Sequence, residues 1–242
     1  MKAYALTNVG VSRNTNQDYV YFSEKNVGNL PNILVVADGM GGHRAGEVAS
    51  EQAVNAVLQS IKENDNTDKI SLIETAISVA NDKVLDMATS DEKFKGMGTT
   101  LVVATLEDGI LYVANVGDSR LYLIDDDDIK QITRDHSLVQ EMVSIGELDK
   151  DSARNHSNKN VITRAIGVEK KIMADFFEVE VSEKTKILLC SDGLTNMVED
   201  SEINRIICEN KGAELEVIVK KLIDEANENG GLDNIAVVLA EV

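Results

Sequence analysis

Short apolar runs and longer stretches of helical periodicity come in blocks along this chain. Residues 1–9 alternate loosely, residues 19–22 form a short apolar run after a polar turn, and a continuous apolar run ends at Asp38. From Gly46, apolar residues recur at steps of three and four, which predicts an amphipathic helix. A second stretch with the same period, over residues 70–87, follows a polar break. We therefore predict strands followed by two antiparallel helices that cover one face of a sheet.

Four further strands are predicted in the middle of the chain. They span residues 98–106, 110–116, 120–124 and 129–132, and the turns between them are rich in Asp and Gly. Turns of this length and composition are typical of hairpins, so we predict an antiparallel meander. Ser137, with Gln140 three residues later, then predicts a capped short helix through residue 145.

The last third of the chain repeats the grouping of strands and then helices. Strands are predicted near 173–181 and 185–191, helices near 202–208 and 215–226, and a final strand over 234–241. Elements that come in blocks favour antiparallel sheets with helices packed outside, whereas strict alternation would favour a parallel sheet. No repeat or biased linker divides the 242 residues, so we expect one α+β domain over 1–242.

Composition and charge exclude several classes of protein. Hydrophobic residues make up 43% and charged residues 27%, which is typical of a globular chain. A formal charge of −18 disfavours nucleic acid as a partner, because binding it requires basic side chains that neutralise phosphates. No stretch approaches the roughly 20 apolar residues of a membrane span, and no signal-peptide pattern is seen. Cys190 and Cys208 lie inside predicted elements, which favours reduced thiols in a cytoplasmic protein.

Acidic residues stand at the ends of several apolar runs. Asp38-Gly39 closes one run, Asp192-Gly193 closes another, and Asp233 comes just before the last one. A single Asp-Gly is most often a turn. If these strands are neighbours, however, the carboxylates converge and need a divalent cation to offset their repulsion. Magnesium or manganese is favoured, because hard cations prefer oxygen ligands and no His/Cys cluster has zinc spacing.

Arg13 is a candidate phosphate-binding residue. It lies in a polar loop just before Asp18, and its planar guanidinium can hold a phosphate through two hydrogen bonds. On its own, an arginine in a polar loop is far more often a solvated surface residue. Arg13 is therefore informative only if it lies beside the carboxylates.

Eight motifs in one order resemble the metal-dependent serine/threonine protein phosphatases of type 2C (the PPM family), in the compact bacterial form. They lie at residues 13–18, 37–43, 46–50, 97–100, 114–120, 163–167, 191–194 and 233–234. Each motif alone would be weak, but eight in register over nearly the whole chain are very specific. The resemblance implies a central antiparallel β-sandwich with a pair of helices on each outer face, in α-β-β-α layers.

The resemblance also implies a binuclear magnesium or manganese site. Asp38 would bridge both metals, and the carbonyl of Gly39 would bind the second. Asp192 and Asp233 would hold the first metal. The cations would lower the pKa of a bridging water, which would then attack phosphorus in line.

Three further residues match positions of the family's motifs. Asp118 matches a residue that joins Asp192 at a third, weaker metal. Asp18 matches an acid near the second metal that acts through water, and Arg13 matches the phosphate-binding arginine. Gln17 replaces a glutamate found in some relatives, which removes one possible direct ligand.

The source of the proton for the leaving group stays open in the sequence. Animal members of the family have histidine directly after Asp-Gly, whereas this chain has Met40 there and His43 three residues later. Either a metal-bound water or His43 could protonate the departing serine or threonine oxygen.

Several other polar residues are given structural roles. The four acids at 125–128 are interpreted as a solvated hairpin turn, and His136 and His156 as surface or packing residues. The polar segment 146–171 matches the position of the flap in bacterial relatives, and we expect it to gate access of peptides.

The function that the resemblance implies is hydrolysis of phosphoserine and phosphothreonine in proteins, opposing a bacterial Ser/Thr kinase. We expect a cytoplasmic monomer. Two alternatives are a catalytically idle phosphatase-like module that binds metal and a partner, and a phosphatase for small phosphorylated molecules.

Overall fold

The computed structural model describes residues 1–42, 44–125, 128–154 and 156–242, and across them the chain alternates between groups of strands and groups of helices. The strands are β1 (Lys2–Asn8), β2 (Asp18–Ser23), β3 (Ile33–Met40), β4 (Gly98–Thr99), β5 (Leu101–Glu107), β6 (Ile110–Val116), β7 (Arg120–Ile124), β8 (Ile129–Gln131), β9 (Asp175–Glu180), β10 (Lys186–Cys190) and β11 (Ile235–Glu241). The helices are α1 (Ala45–Glu63), α2 (Lys69–Ser90), α3 (Leu138–Ser144), α4 (Lys150–Arg154), α5 (Asp192–Thr195), α6 (Asp200–Glu209) and α7 (Leu215–Glu228).

The strands form two antiparallel sheets. The first has the order β1-β11-β10-β7-β8, and the second has the order β2-β3-β5-β6-β9 with β4 paired to β3. The first and last strands of the chain are neighbours, with Lys2 opposite Glu241. The two ends of the chain are therefore fixed in one sheet by backbone hydrogen bonds.

Apolar side chains of the central strands alternate between two cores. In β3, Leu34 and Val36 pack between the sheets, whereas Ile33 and Val35 pack beneath α1 and α2. β11 alternates in the same way between the core of the sandwich and a third core beneath α6 and α7. Strands buried on both faces read as continuous apolar runs, and this explains the runs seen in the sequence. The predicted α-β-β-α layers are confirmed.

The predicted meander over residues 98–132 is wrong. β5 and β6 pair in the second sheet, but β7 and β8 pair with each other in the first, so the chain changes sheets between β6 and β7. Gly117 makes this crossing with φ of 106°, a conformation that strongly favours glycine. A Cβ at this position would also lie 2.6 Å from the side chain of Thr100. The turn that carries Asp118 is therefore a crossing between layers and not a hairpin.

Other local predictions are confirmed within a residue or two. The hydroxyl of Ser137 caps α3 by accepting a hydrogen bond from the backbone N–H of Gln140. The acidic turn joins β7 to β8 as predicted, although residues 126 and 127 lie outside the described part of the chain. Helices α4 and α5 were not predicted. Cys190 and Cys208 are not joined by a disulfide bond.

Across the described ranges, none of the helices combines the length and the apolar content needed to cross a bilayer.

Candidate metal centre

Five aspartates from both sheets meet at one end of the sandwich, and we call them the carboxylate cluster: Asp18, Asp38, Asp118, Asp192 and Asp233. Each stands at an element boundary, near the end of β3, at the start of β2, after β6, after β10 or before β11. Because neighbouring strands are antiparallel, these boundaries fall at the same end of the two sheets. The face-to-face packing of the sheets then brings the side chains together across the sandwich.

Asp18 and Asp38 are held opposite each other by strand pairing. They are direct partners in the register of β2 and β3, so their side chains leave the same face of the sheet. One oxygen of Asp18, Oδ2, accepts a hydrogen bond of 2.7 Å from the hydroxyl of Ser191. The other oxygen, Oδ1, is buried and has no hydrogen-bond partner among the described residues. A buried carboxylate oxygen without a partner is costly, and a cation is one group that would satisfy it.

Burial and mutual repulsion raise the pKa values of four aspartates of the cluster. Burial raises the pKa of Asp18 to about 8, and the charges of Asp192 and Asp233 add to the effect. The pKa of Asp118 is raised to about 8, again chiefly by burial and then by Asp192. Burial raises the pKa of Asp192 to about 6 and that of Asp38 well above its ordinary value. A divalent cation among these groups would reverse this tendency by favouring the ionised carboxylates.

The backbone around Asp38 is fixed by two threonines. The hydroxyl of Thr100 accepts a hydrogen bond of 2.9 Å from the N–H of Asp38, and the hydroxyl of Thr99 donates one of 2.9 Å to its carbonyl. The hydroxyl of Thr100 also lies 2.7 Å from that of Ser119, beside Asp118. Thr100 therefore ties the end of β3 to the crossing between the sheets. The sequence motif contained both threonines but gave no role for them.

Gly39 is required by close approach of another backbone segment. A Cβ at this position would lie 2.0 Å from the carbonyl oxygen of Gly46 at the start of α1 and 2.6 Å from that of Gln17. The N–H of Gly39 donates to the carbonyl of Gln17. The glycine thus lets α1 begin directly against the cluster.

Asn234 is a residue whose role the sequence did not reveal. Its side-chain oxygen accepts from the N–H of Gln17 at 2.8 Å, and its amide group donates to the carbonyls of Val9 and Thr15. These three bonds hold the loop that carries Arg13 against the start of β11. The Asp-Asn motif therefore combines a cluster carboxylate with a residue that anchors the loop.

Arg13 lies beside the cluster, as the phosphate-binding assignment requires. Its Nη2 donates to Oδ2 of Asp233 at 2.8 Å, and half of its side chain is exposed to solvent. The guanidinium is thus at the mouth of the site and within reach of an anion that enters it.

His136 has the structural role that the sequence predicted. Its Nδ1 accepts from the N–H of Gly117 at 3.1 Å, so in the neutral ring the proton is on Nε2, which faces Asp175 at 3.2 Å. His136 therefore supports the crossing next to Asp118. His156 accepts a local hydrogen bond from the N–H of Asn158 and does not contact the cluster. His43, one of the two candidate proton sources, lies outside the described residues.

The cluster is not a completed ligand cage. Within the described part of the chain, no three or more His, Cys, Asp or Glu side chains have the closed spacing of a bound metal ion. The aspartates are close enough to raise the pKa values of one another, and Asp233 is engaged by Arg13. They are therefore acidic neighbours of the right chemistry for a hard cation, which would draw their oxygens together.

Comparison with known proteins identifies the family to which the chain belongs. Residues 11–233 match the family described as protein phosphatase 2C. A serine/threonine phosphatase, Stp, of Listeria welshimeri is 43% identical, over 100% of this chain and 96% of its own.

Solved structures agree with the fold. The serine/threonine phosphatase Stp1 of Staphylococcus aureus superposes with a TM-score of 0.92 at 33% identity, covering 100% of this chain and 94% of its own. The catalytic domain of the phosphatase PstP, in complex with two manganese ions, superposes with a TM-score of 0.86 at 30% identity, covering 99% and 97%. The chain therefore belongs to the protein phosphatase 2C family of bacterial, metal-dependent serine/threonine phosphatases.

Proposed function

We propose that this protein hydrolyses phosphoserine and phosphothreonine in protein substrates with two bound Mg²⁺ or Mn²⁺ ions. Asp38, Asp192, Asp233 and the carbonyl of Gly39 would hold these two cations, and Asp118 would share a weaker third with Asp192. When bound, such cations acidify water to supply a nucleophile near neutral pH and offset charge on the phosphate.

The observation that carries this proposal is the convergence of the carboxylate cluster from both sheets. Four of its members have raised pKa values, and Oδ1 of Asp18 has no partner. A fold gains nothing from gathering buried acids unless a positive charge joins them. In a chain of this family, metal binding explains why these aspartates are kept despite the free-energy cost of placing them together. Asp18 would contribute to the second cation from its buried position.

Arg13 would bind and orient the phosphate. Its guanidinium is at the mouth of the cluster, where Nη2 donates to one oxygen of Asp233 and Nε donates to the carbonyl of Leu232 at 3.4 Å. Because Asp233 would turn toward a cation, Arg13 would be released to hold two phosphate oxygens. In that position the guanidinium would stabilise the negative charge on the equatorial phosphate oxygens in the transition state of phosphoryl transfer.

The proton for the leaving serine or threonine oxygen needs a separate donor. Met40, which follows Gly39, has no acidic proton. His43 is our candidate among the side chains of this chain, on its position in the sequence alone. Replacing His43 by alanine should therefore slow hydrolysis of phosphothreonine, whose threonine oxygen is a poor leaving group, more than hydrolysis of p-nitrophenyl phosphate.

The setting of the reaction follows from the same residues. We assign residues 1–242 to one catalytic domain, with residues 146–171 as a flap beside the cluster. Arg154 of α4, within this segment, pairs with Glu199 at 3.1 Å and so reaches across the groove next to Asp192. Two cysteines that are not joined by a disulfide suit the cytoplasm, where we place the protein as a monomer that opposes a bacterial Ser/Thr kinase. The relatives described above support neither of the two alternative functions.

The test is phosphate release from a phosphothreonine peptide by wild-type protein and by Asp192→Ala, each with Mn²⁺ and with EDTA. We expect release only from the wild type with metal. Asp86→Ala, which removes an exposed aspartate from α2, is the matched control and should behave as wild type.

The same assay separates the alternatives. Release from sugar phosphates but not from phosphopeptides would identify a small-molecule phosphatase. No release from folded protein that binds Mn²⁺ would identify an idle binding module, and either result would overturn the proposal.

A further inference from the structure

An apolar recess opens beside the carboxylate cluster, and nothing in the proposed chemistry uses it. Its volume is about 410 Å³, within the range of pockets that bind ligand groups. Its apolar lining comes from Met40 at the end of β3 and from Ile162, Val168, Ile172 and Met173, and the polar residues Thr163, Arg164, Glu169 and Lys171 line the rest. We call this feature the Met40 recess.

The Met40 recess is continuous with the site through one strand. Asp38 and Met40 are two residues apart in β3, so their side chains leave the same face of the strand with Cα atoms about 7 Å apart. An extended peptide has the same spacing between residues two positions apart. A substrate residue next to the phosphorylated one, or one position further, could therefore place its side chain in the recess.

Gly98 leaves room for two of the side chains that line the recess. A Cβ on Gly98, the partner of Met40 in the strand register, would lie 2.6 Å from Cε of Met40 and 3.0 Å from Cγ2 of Val168. The glycine therefore allows the ends of these two side chains to approach each other. Together they form an apolar wall.

Large apolar side chains of the recess are left in solvent. The exposed fraction is 53% for Val168 and 71% for Met173. Single exposed apolar residues are ordinary, but two that line one concave surface beside a reaction site indicate binding of an apolar group.

A second groove beside the cluster has a different character. This groove, next to Asp118, is lined mainly by charged and polar side chains, among them Arg120, Asp135 and Asp200. Of the two cavities, the Met40 recess is therefore the one that suits an apolar side chain.

We propose that the Met40 recess binds a large aliphatic or aromatic side chain of the phosphoprotein substrate, one or two positions from the phosphorylated residue. This inference rests on the proposed phosphatase function and adds a determinant of substrate choice to it. Burying a leucine side chain there should raise kcat/KM about tenfold over alanine, since an apolar pocket discriminates by roughly this amount.

The experiment is a scan of phosphothreonine peptides in Mn²⁺. All flanking positions are alanine or glycine, except for one leucine placed in turn at each of the two positions before and after the phosphothreonine. We expect one position to give about a tenfold higher kcat/KM than the all-alanine peptide. Val168→Ser with Met173→Gln should abolish the preference and leave hydrolysis of p-nitrophenyl phosphate unchanged. Val217→Ser, an equally simple change at an exposed residue of α7, should keep the preference.

Each result has a distinct meaning. Equal rates for all peptides, or a leucine preference that survives in the double variant, would overturn the inference while the phosphatase function stands. No hydrolysis of any substrate by wild-type protein would instead overturn the function on which it rests. The wild-type protein could instead show no leucine preference and form a dimer that Val168→Ser dissociates. This result would mean that the recess binds a second copy of the chain, and it would overturn the proposal.

Discussion

Two groups of acidic side chains in this protein can be compared directly: the carboxylate cluster and the glutamates on the outer face of α6 and α7. On the helices, Glu202 accepts hydrogen bonds from Arg205, and Glu216 accepts one from Lys220 at 2.7 Å. These bonds lower the pKa values of both glutamates. In the cluster, burial raises the pKa of Asp18 to about 8, and within the described part of the chain no basic side chain forms an ion pair with it.

This difference in environment shows which acidic residues indicate a function. An exposed acid paired one helical turn away is screened by water and contributes little. A buried acid among other acids is expensive, so its presence indicates a ligand that offsets the cost. Four predictions test this contrast, starting with the largest expected effect.

Removing one charge from the carboxylate cluster should reduce phosphatase activity, whereas removing one charge from the helix glutamates should not. Asp38→Asn should lower kcat/KM for a phosphothreonine peptide about a thousandfold or more, because it removes a charge shared by both proposed cations. Glu202→Gln, the same chemical change on α6, should leave turnover unchanged. The measurement is steady-state kinetics in Mn²⁺. Similar losses in both variants would mean that the cluster has no special role.

The stability of the metal-free protein should fall as pH rises. In the unfolded chain an aspartate has its ordinary pKa near 4, whereas Asp18 in the folded protein keeps its proton up to about pH 8. Over this interval the folded state binds more protons than the unfolded state, so the free energy of unfolding decreases with pH. Thermal unfolding in EDTA at several pH values measures the slope.

Two additions identify the cause of that slope. Asp18→Asn has no titrating group at this position and should make the slope less steep, while Asp38, Asp118 and Asp192 keep part of it. Mn²⁺ should stabilise the wild type more at high pH than at low pH, because ligands must lose their protons to bind metal. A slope that is unchanged by Asp18→Asn would assign the pH dependence to other groups.

A partial effect is expected from the edge of the cluster. Asp118→Ala should spare the two principal cations but slow turnover of a protein substrate by about tenfold, since it removes a ligand of the proposed third cation. The rate is measured across a series of Mn²⁺ concentrations. A variant that matches wild type at every concentration would contradict the assignment of Asp118.

The smallest effect is expected on the helices. Glu216→Ala breaks the exposed pair with Lys220, and neither the unfolding midpoint nor phosphatase activity should change measurably. The measurement is a thermal melt in moderate salt beside wild type. A clear loss of stability would show that the helix acids contribute more than exposed pairs usually do.

The elements and most site residues could be predicted from the sequence because their signals are local. The helical period that begins at Gly46 and the apolar run that ends at Asp38 reflect burial along a single element, which neighbouring residues encode. The short motifs named the candidate ligands before any contact was known.

The assignment of strands to sheets could not be predicted in the same way. Residues 110–116 and 120–124 have similar composition and a short connection, which equally suits a hairpin or a crossing. The structure crosses at Gly117, because β7 pairs with β10 from far along the chain. Hydrogen bonds between distant segments leave no periodic trace in either one.

The sequence by itself thus determined the chemical groups, the approximate bounds of the elements and the resemblance to the family. Only the tertiary structure decided that Asp18 has a buried oxygen without a partner, that Asn234 anchors the loop of Arg13, and that an apolar recess lies beside Met40. The physical reason is that burial, hydrogen-bond partners and cavities belong to pairs of segments, which become neighbours only when the two sheets pack together.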